Sequence, residues 1–266
     1  MTGKVAFLGQ PNNGHLKLFA EGLRRHGWST NTDVVPSRTS PPDLIVCWGV
    51  RRLGMMGRTA YRTCVLEHGY IGDRFRWTSV SFGGKLNGEA EFQGAQSDPA
   101  RRLQNHPDAL QPYRGRAERR VALICGQVPT DMAVRGVNYP AWLLQEAKNW
   151  RLAGWEVKYR SHPLASRFNP GIPEISDPKA TLQAAMDEAG VVVAYSSNAL
   201  TDATLAGIPI YAGSRVAMAF PLSVAPDAHP DWPEPPERET WANELAWKQW
   251  SEDELSSGVC WEHVGC

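Results

Sequence analysis

The sequence predicts an α/β fold built as two successive units of strands and helices. Two observations carry this. Short apolar runs bounded by Gly, Pro or Asp alternate with stretches of helical periodicity. The alternation also stops in a segment of scattered charge, Gly and Pro over residues 84–117 and then starts again. Strands that alternate with helices imply parallel sheets covered on both faces.

In the first unit, Val5-Ala6-Phe7-Leu8 reads as a strand that stops at Gly9. Leu16, Leu18, Phe19 and Leu23 then give a helix ending near Gly27. Thr32–Val35, Leu44–Trp48 and Cys64–Leu66 are further strands, and a linker is expected around Tyr113–Glu118. In the second unit, strands are predicted at Val121–Cys125, Trp155–Tyr159, Gly190–Tyr195 and Pro209–Ala212. Helices are predicted at Trp142–Ala153, Thr181–Ala189 and Asn198–Ala206. From Pro235 onward, Trp241, Leu245, Ala246 and Trp250 stand at helical spacing and predict a helical tail. The expected domains are therefore residues 1–117 and, with the tail included, residues 118–266.

Composition narrows the class. The 266 residues are 42% hydrophobic and 21% charged, with 11 Trp and 20 Pro, above average usage for both. The apolar run before Gly9, Val5–Leu8, is only four residues, too few for a signal sequence, and no apolar run approaches membrane-spanning length. A cytoplasmic protein is expected. The five cysteines occur singly without Cys-x-x-Cys spacing, which reads as reduced thiols with no zinc site. Net charge is zero, yet residues 1–150 hold 20 Lys and Arg against 12 Asp and Glu, while residues 201–266 hold 3 against 11. A basic front half can bind a polyanion, although solvated faces are the commoner cause of a charge cluster.

In open α/β sheets, ligands bind beyond the carboxyl ends of the strands, where loop N–H groups and helix N-termini favour anions. Four strand ends carry suitable residues. Ser196-Ser197-Asn198 separates a strand from a helix and offers hydroxyls and backbone donors to a phosphate; plain helix capping is the simpler alternative. Gly126-Gln127-Val128-Pro129-Thr130-Asp131 and Arg160-Ser161-His162-Pro163 follow two more strands. They add a guanidinium able to grip phosphate and an imidazole. The fourth, Gly9-Gln10-Pro11-Asn12-Asn13-Gly14-His15, lacks the Lys-Ser/Thr of a P-loop and the spacing of a dinucleotide fingerprint.

The ordered set LICGQVPTDMAV, YRSHP and SSNALTDATLAGIPIY, with LEHGYIGDRFRWTSVSFGG upstream, resembles the capsule-polysaccharide-synthesis glycosyltransferases, the family that includes bacterial β-Kdo transferases. The likeness spans residues ~65–212 with gaps; several ordered motifs are more specific than one. It implies two Rossmann-like domains facing a cleft, a GT-B-like arrangement, with a nucleotide-sugar donor, expected to be a UDP-sugar, as co-substrate and no cofactor or metal. Carried over, it makes Gln127 and Asp131 cleft residues, Arg160, His162, Ser196, Ser197 and Asn198 donor contacts, and Asp202 a ribose partner where the family usually has Glu. The tail over residues 241–255 is similar to bacteriophage proteins.

Glycosyl transfer requires a base or carboxylate near the attacking hydroxyl. Glu67, His68 and Asp73 fit that role by position, with turn formation around Gly69 and Gly72 as the alternative. The leading expectation is transfer onto a hydroxymethylated pyrimidine in DNA. Arg51, Arg52, Arg58, Arg62, Arg74, Arg76, Arg101, Arg102, Arg114, Arg116, Arg119 and Arg120 would track phosphates, and Trp48, Tyr70, Phe75 and Trp77 would stack on bases, with Asn13 and His15 nearby. Transfer onto a surface polysaccharide or lipid-linked glycan, or a binding module without catalysis, are the competing expectations.

Overall fold

The structure is a computed structural model that describes residues 4–32, 41–55, 61–94, 103–115, 120–175, 177, 179–225 and 232–265, with positions 52, 54 and 55 described in backbone alone. Arg58, Arg101, Arg102, Arg116 and Arg119, the side chain of Arg52, and most of the strand expected at 32–35 lie outside the described residues. The chain divides into two compact units. One comprises Met1–Pro107 with Asn243–Cys266, the other Asp108–Ala242.

Unit 1 is a six-stranded sheet made of β1 (Val5–Leu8), β2 (Ser29–Asn31), β3 (Leu44–Trp48), β4 (Arg62–His68), β5 (Trp77–Phe82) and β10 (Gln249–Ser251), in the order β10-β5-β4-β3-β1-β2. The first four strands are parallel; β5 and β10 are antiparallel to their neighbours. Helix α1 (Gly14–Arg25) starts where the Asn13 side chain accepts the Leu16 N–H at 3.0 Å. It buries Leu16, Phe19, Ala20 and Leu23, and ends at Gly27 in the left-handed region, φ +76°.

Unit 2 is a parallel sheet of β6 (Val121–Cys125), β7 (Glu156–Arg160), β8 (Val191–Ala194) and β9 (Ile210–Ala212), in the order β7-β6-β8-β9. Its helices are α2 (Tyr139–Leu152), α3 (Leu182–Asp187) and α4 (Ala199–Leu205). Leu143, Ala147 and Trp150 of α2 pack on Val157, Tyr159, Val191 and Val193. The orders β2-β1-β3-β4 and β7-β6-β8-β9 are the same topology, so the two units repeat one plan that unit 1 extends by two antiparallel strands.

The tail departs from expectation. Helix α5 (Arg238–Ala246) leads into β10, α6 (Glu252–Ser257) and α7 (Val259–Val264), and residues 243–266 belong to unit 1. Trp250 lies on β10, paired with Thr78, and is not part of a continuous helix. The reason is burial and pairing. β5 has an open edge that β10 covers, while Trp250, Leu255, Cys260 and Trp261 complete the core around α1. Gly22 lets α1 approach α6 closely, since a Cβ there would collide with the Leu255 carbonyl oxygen. Burying Trp250, Leu255 and Trp261 contributes on the order of 5 kcal/mol, comparable with the whole stability of a small domain.

Gln249 fixes the register. Its Oε1 accepts the N–H groups of Tyr70 (2.7 Å) and Ile71 (2.9 Å), and its Nε2 donates to the Ile71 carbonyl (3.2 Å). The boundary between the units is also earlier than expected. Gln111 and Arg114 donate backbone hydrogen bonds to Leu205 and Gly207, which ties this stretch to unit 2. Among the described residues, no helix is long and apolar enough to cross a membrane.

Candidate functional site

Arg160 ends β7, and Gln127, His162 and Ser196 stand two residues past β6, β7 and β8, so the parallel sheet of unit 2 brings them to one carboxyl edge. The backbone of Gly126 turns tightly there, donating to the Arg160 carbonyl at 2.8 Å, and a Cβ at Gly126 would collide with the Tyr159 hydroxyl. Gln127 is 7% exposed and fully engaged. Its N–H donates to the Tyr139 hydroxyl (2.8 Å), its Nε2 to Ser196 Oγ (3.1 Å), and its Oε1 accepts the Ser196 N–H (2.7 Å). The carboxamide is a latch between two strand ends.

Arg160 donates from Nη2 to the Ala180 carbonyl at 3.3 Å, and its buried Nε has no hydrogen-bond partner among the described residues. Burial pushes the Cys125 thiol up to about 12; Arg160 opposes that rise and Asp202 adds to it. His162 caps a short 3-10 turn, Nδ1 accepting the Leu164 N–H at 3.1 Å, which leaves Nε2 as the proton-bearing nitrogen of the neutral ring. Ser197 Oγ accepts the Ala199 N–H (3.2 Å), and Asn198 makes no side-chain cap bond at α4. Asp131 is exposed and caps a turn, Oδ1 accepting the Ala133 N–H at 2.8 Å.

An aromatic wall stands beside this edge and was missed in the sequence. Tyr195 follows β8, and its ring meets Trp142 of α2 edge-on at 5.2 Å. Trp142 is stacked on Tyr139 at 6.1 Å and lies over Gly213, where a Cβ would strike the indole.

Unit 1 repeats the latch. Gln10 stands two residues past β1, as Gln127 stands two past β6; it accepts the Trp48 N–H on Oε1 (2.7 Å) and donates Nε2 to the Trp48 carbonyl (3.1 Å). The Gly-Gln pair at residues 9–10 and again at 126–127 was the available signal. Beside it, His15 in the first turn of α1 stacks on Trp48 (4.9 Å, 23°), with Nδ1 2.7 Å from Thr78 Oγ1. Asn13, expected to contact acceptor, is the cap of that helix.

His68 ends β4, edge-on to Trp48 at 4.8 Å and 5.9 Å from His15. Burial lowers the pKa of both imidazoles; His15 and Arg74 depress His68 further, while Glu252 partly offsets the effect on His15. Glu67 is half-buried, with its carboxylate near Gly49, whose backbone lies in the left-handed region at φ +68°. Asp73 is an exposed turn residue, Oδ1 accepting the Phe75 N–H at 3.2 Å.

The arginines expected to form one face do not share one environment. Arg51 and Arg76 are exposed and Arg74 is half-buried. Arg62 donates to Gln93 and lies over the Phe82 ring, and Arg114 of unit 2 pairs with Asp187. Tyr70, expected to stack on a base, is 3% exposed and is a packing residue, because the Gln249 latch draws its backbone inward. Trp77 is half-buried with its ring edge-on to His106.

Two Rossmann-type units in tandem, each with polar strand ends gathered at a carboxyl edge, define a GT-B-like α/β protein. The chain is similar in fold to KpsC β-Kdo 2,7 transferase of Thermosulfurimonas dismutans, with TM-score 0.60 at 13% identity over 96% of this chain and 98% of that one. It is likewise similar to the KpsC β-Kdo 2,4 transferase of that organism, with TM-score 0.59 at 12% identity over 95% and 98%. No protein-family model and no curated protein sequence matches the chain.

Proposed function

We propose that the protein is a glycosyltransferase that takes a sugar from a nucleotide-sugar donor held by unit 2 and passes it to an acceptor hydroxyl held by unit 1. The observation that carries this reading is the gathering of Arg160, His162 and Ser197 at one sheet edge, on a fold shared with sugar transferases. In the transfer, the acceptor oxygen bonds to the anomeric carbon and the bond from that carbon to the phosphate oxygen breaks. The phosphate leaves with the electron pair, and the acceptor proton passes to a base. Arg160 neutralises charge on the leaving phosphate, and the Nε2–H of His162 donates a hydrogen bond to it. Glu67 or His68 takes the proton; Asp73 is the weaker candidate because its Oδ1 already closes a turn.

Asp202, in the first turn of α4, is the proposed partner of the ribose hydroxyls. UDP-sugars and, by likeness to the β-Kdo transferases, Kdo donors are the co-substrates to try first. The test is release of free nucleotide from a panel of donors, with saccharide and hydroxymethylated DNA acceptors. Nucleotide release that depends on Arg160 supports the reading; no release from any donor rejects it.

A DNA acceptor retains one specific argument, the exposed Phe75 between Arg74 and Arg76. Tracking of a DNA backbone would give duplex affinity a log–log salt slope of about −0.9 per phosphate contact, flattened by replacing Arg51, Arg74 and Arg76 together. Salt-independent or absent binding rejects DNA and leaves the glycan acceptor.

A further inference from the structure

Phe75 is a large apolar side chain left 71% exposed, on a turn that is not loose. Asp73 accepts the Phe75 N–H with its side chain and the Arg76 N–H with its carbonyl, while the Gly69 N–H reaches the carbonyls of Arg74 (3.2 Å) and Trp77 (2.8 Å). Burial of a Phe ring is favourable, and this turn forgoes it. Phe75 also stands at the end of a row of rings. It meets His68 edge-on at 4.8 Å, His68 meets Trp48 at 4.8 Å, and Trp48 stacks on His15 at 4.9 Å. Thr78 holds the far end by its hydroxyl. The row lies at the carboxyl ends of β3 and β4, where ligands of open α/β sheets bind.

We infer that the row Phe75, His68, Trp48 and His15 is a saccharide subsite, on which the C–H face of a pyranose ring packs while the imidazole nitrogens meet its hydroxyls. A pyranose has apolar faces and a rim of neutral hydroxyls, so it calls for aromatic faces interleaved with uncharged hydrogen-bonding groups. Desolvation lowers the pKa of both imidazoles, with His15 and Arg74 adding to the effect at His68, which favours the uncharged rings that such a rim uses. A nucleobase could use the same ring faces, with Arg74 and Arg76 beside Phe75 to meet its phosphates, so a single strand is the competing ligand in the test. The role as acceptor subsite rests on the glycosyl-transfer reading; the binding does not.

The experiment is titration of methyl pyranosides and linear trisaccharides of glucose and galactose against the whole protein, followed by tryptophan fluorescence and saturation-transfer NMR. A pyrimidine-rich single strand serves as the competing probe. Phe75→Ala should weaken saccharide binding about three- to tenfold and Phe75→Tyr should restore it, with thermal unfolding unchanged in both. Nucleotide affinity, read by calorimetry, should not move. Absence of saccharide binding, equal affinity in Phe75→Ala, or Phe75-dependent binding of the single strand alone would each overturn the inference. Failure of all nucleotide sugars to turn over would reject glycosyl transfer and leave the saccharide titration to decide this site by itself.

Discussion

Gln127 and Ser196, 69 residues apart, exchange hydrogen bonds in both directions: the Gln127 Nε2 donates to Ser196 Oγ at 3.1 Å and its Oε1 accepts the Ser196 N–H at 2.7 Å. Both residues are buried, so the pair is a structural clamp under the donor edge. Gln127→Leu removes both bonds and strands two buried groups of Ser196, at about 1–3 kcal/mol each. The expected result is a lower urea midpoint with an unchanged m-value. An unaltered midpoint would show that the clamp is dispensable.

Arg160 is the contrasting case. It is half-buried, donates one long bond to Ala180, and keeps a buried Nε without a partner among the described residues. Arg160→Ala should leave stability within about 1 kcal/mol of wild type while lowering nucleotide affinity roughly ten- to hundredfold, the loss of one or two charge-assisted bonds. His162→Ala should act the same way and less strongly. Calorimetry with unchanged affinity in both variants would remove the donor assignment.

Glu146 of α2 is buried, with Oε1 near the Tyr211 hydroxyl and Oε2 without a partner among the described residues. Burial raises its pKa above 4.5. A raised folded-state value means that its contribution is fully present below the unfolded value and is lost as pH rises through the folded one. Glu146→Gln should therefore be more stable than wild type at neutral pH and should flatten the decline in stability above pH 4.5. Parallel pH–stability curves for the two proteins would contradict this.

Arg238 is 3% exposed and closes the carboxyl end of α4. It donates Nε to Thr204 O (2.9 Å), Nη2 to Leu205 O (3.2 Å) and Gln111 O (2.6 Å), and Nη1 to Glu234 (2.8 Å). A cation at a helix carboxyl terminus is favourable, and the planar fork matters more than the charge. Arg238→Met should cost about 3 kcal/mol or more, and Arg238→Lys should recover less than half of that. Thermal unfolding measures both; full rescue by lysine would refute the geometric argument.

Removal of residues 243–266 takes β10, α6 and α7 from unit 1 and exposes the core around α1. The truncated chain should bind a hydrophobic dye and lose near-ultraviolet dichroism from unit 1. A native-like spectrum would show that the tail merely decorates the fold.

The sequence alone determined the alternation of strands and helices, because apolar runs bounded by Gly and Pro and the capped periodic stretches are local signals. The boundaries of β1, β3, β6 and β8 came close for that reason. It also brought Gln127, Arg160, His162 and Ser196 forward, since residues just past parallel strands must share an edge. Tertiary structure alone decided the rest. Trp250 keeps helical spacing from Trp241 yet sits on a strand, because covering the β5 edge and satisfying Tyr70 and Ile71 through Gln249 outweigh local propensity. Tyr70 and Phe75 look equally suited to stacking in the sequence. Long-range hydrogen bonds from Gln249 hold Tyr70 inward, while the local turn at Asp73 leaves Phe75 exposed at the end of a row of rings assembled from α1, β3, β4 and the turn before β5.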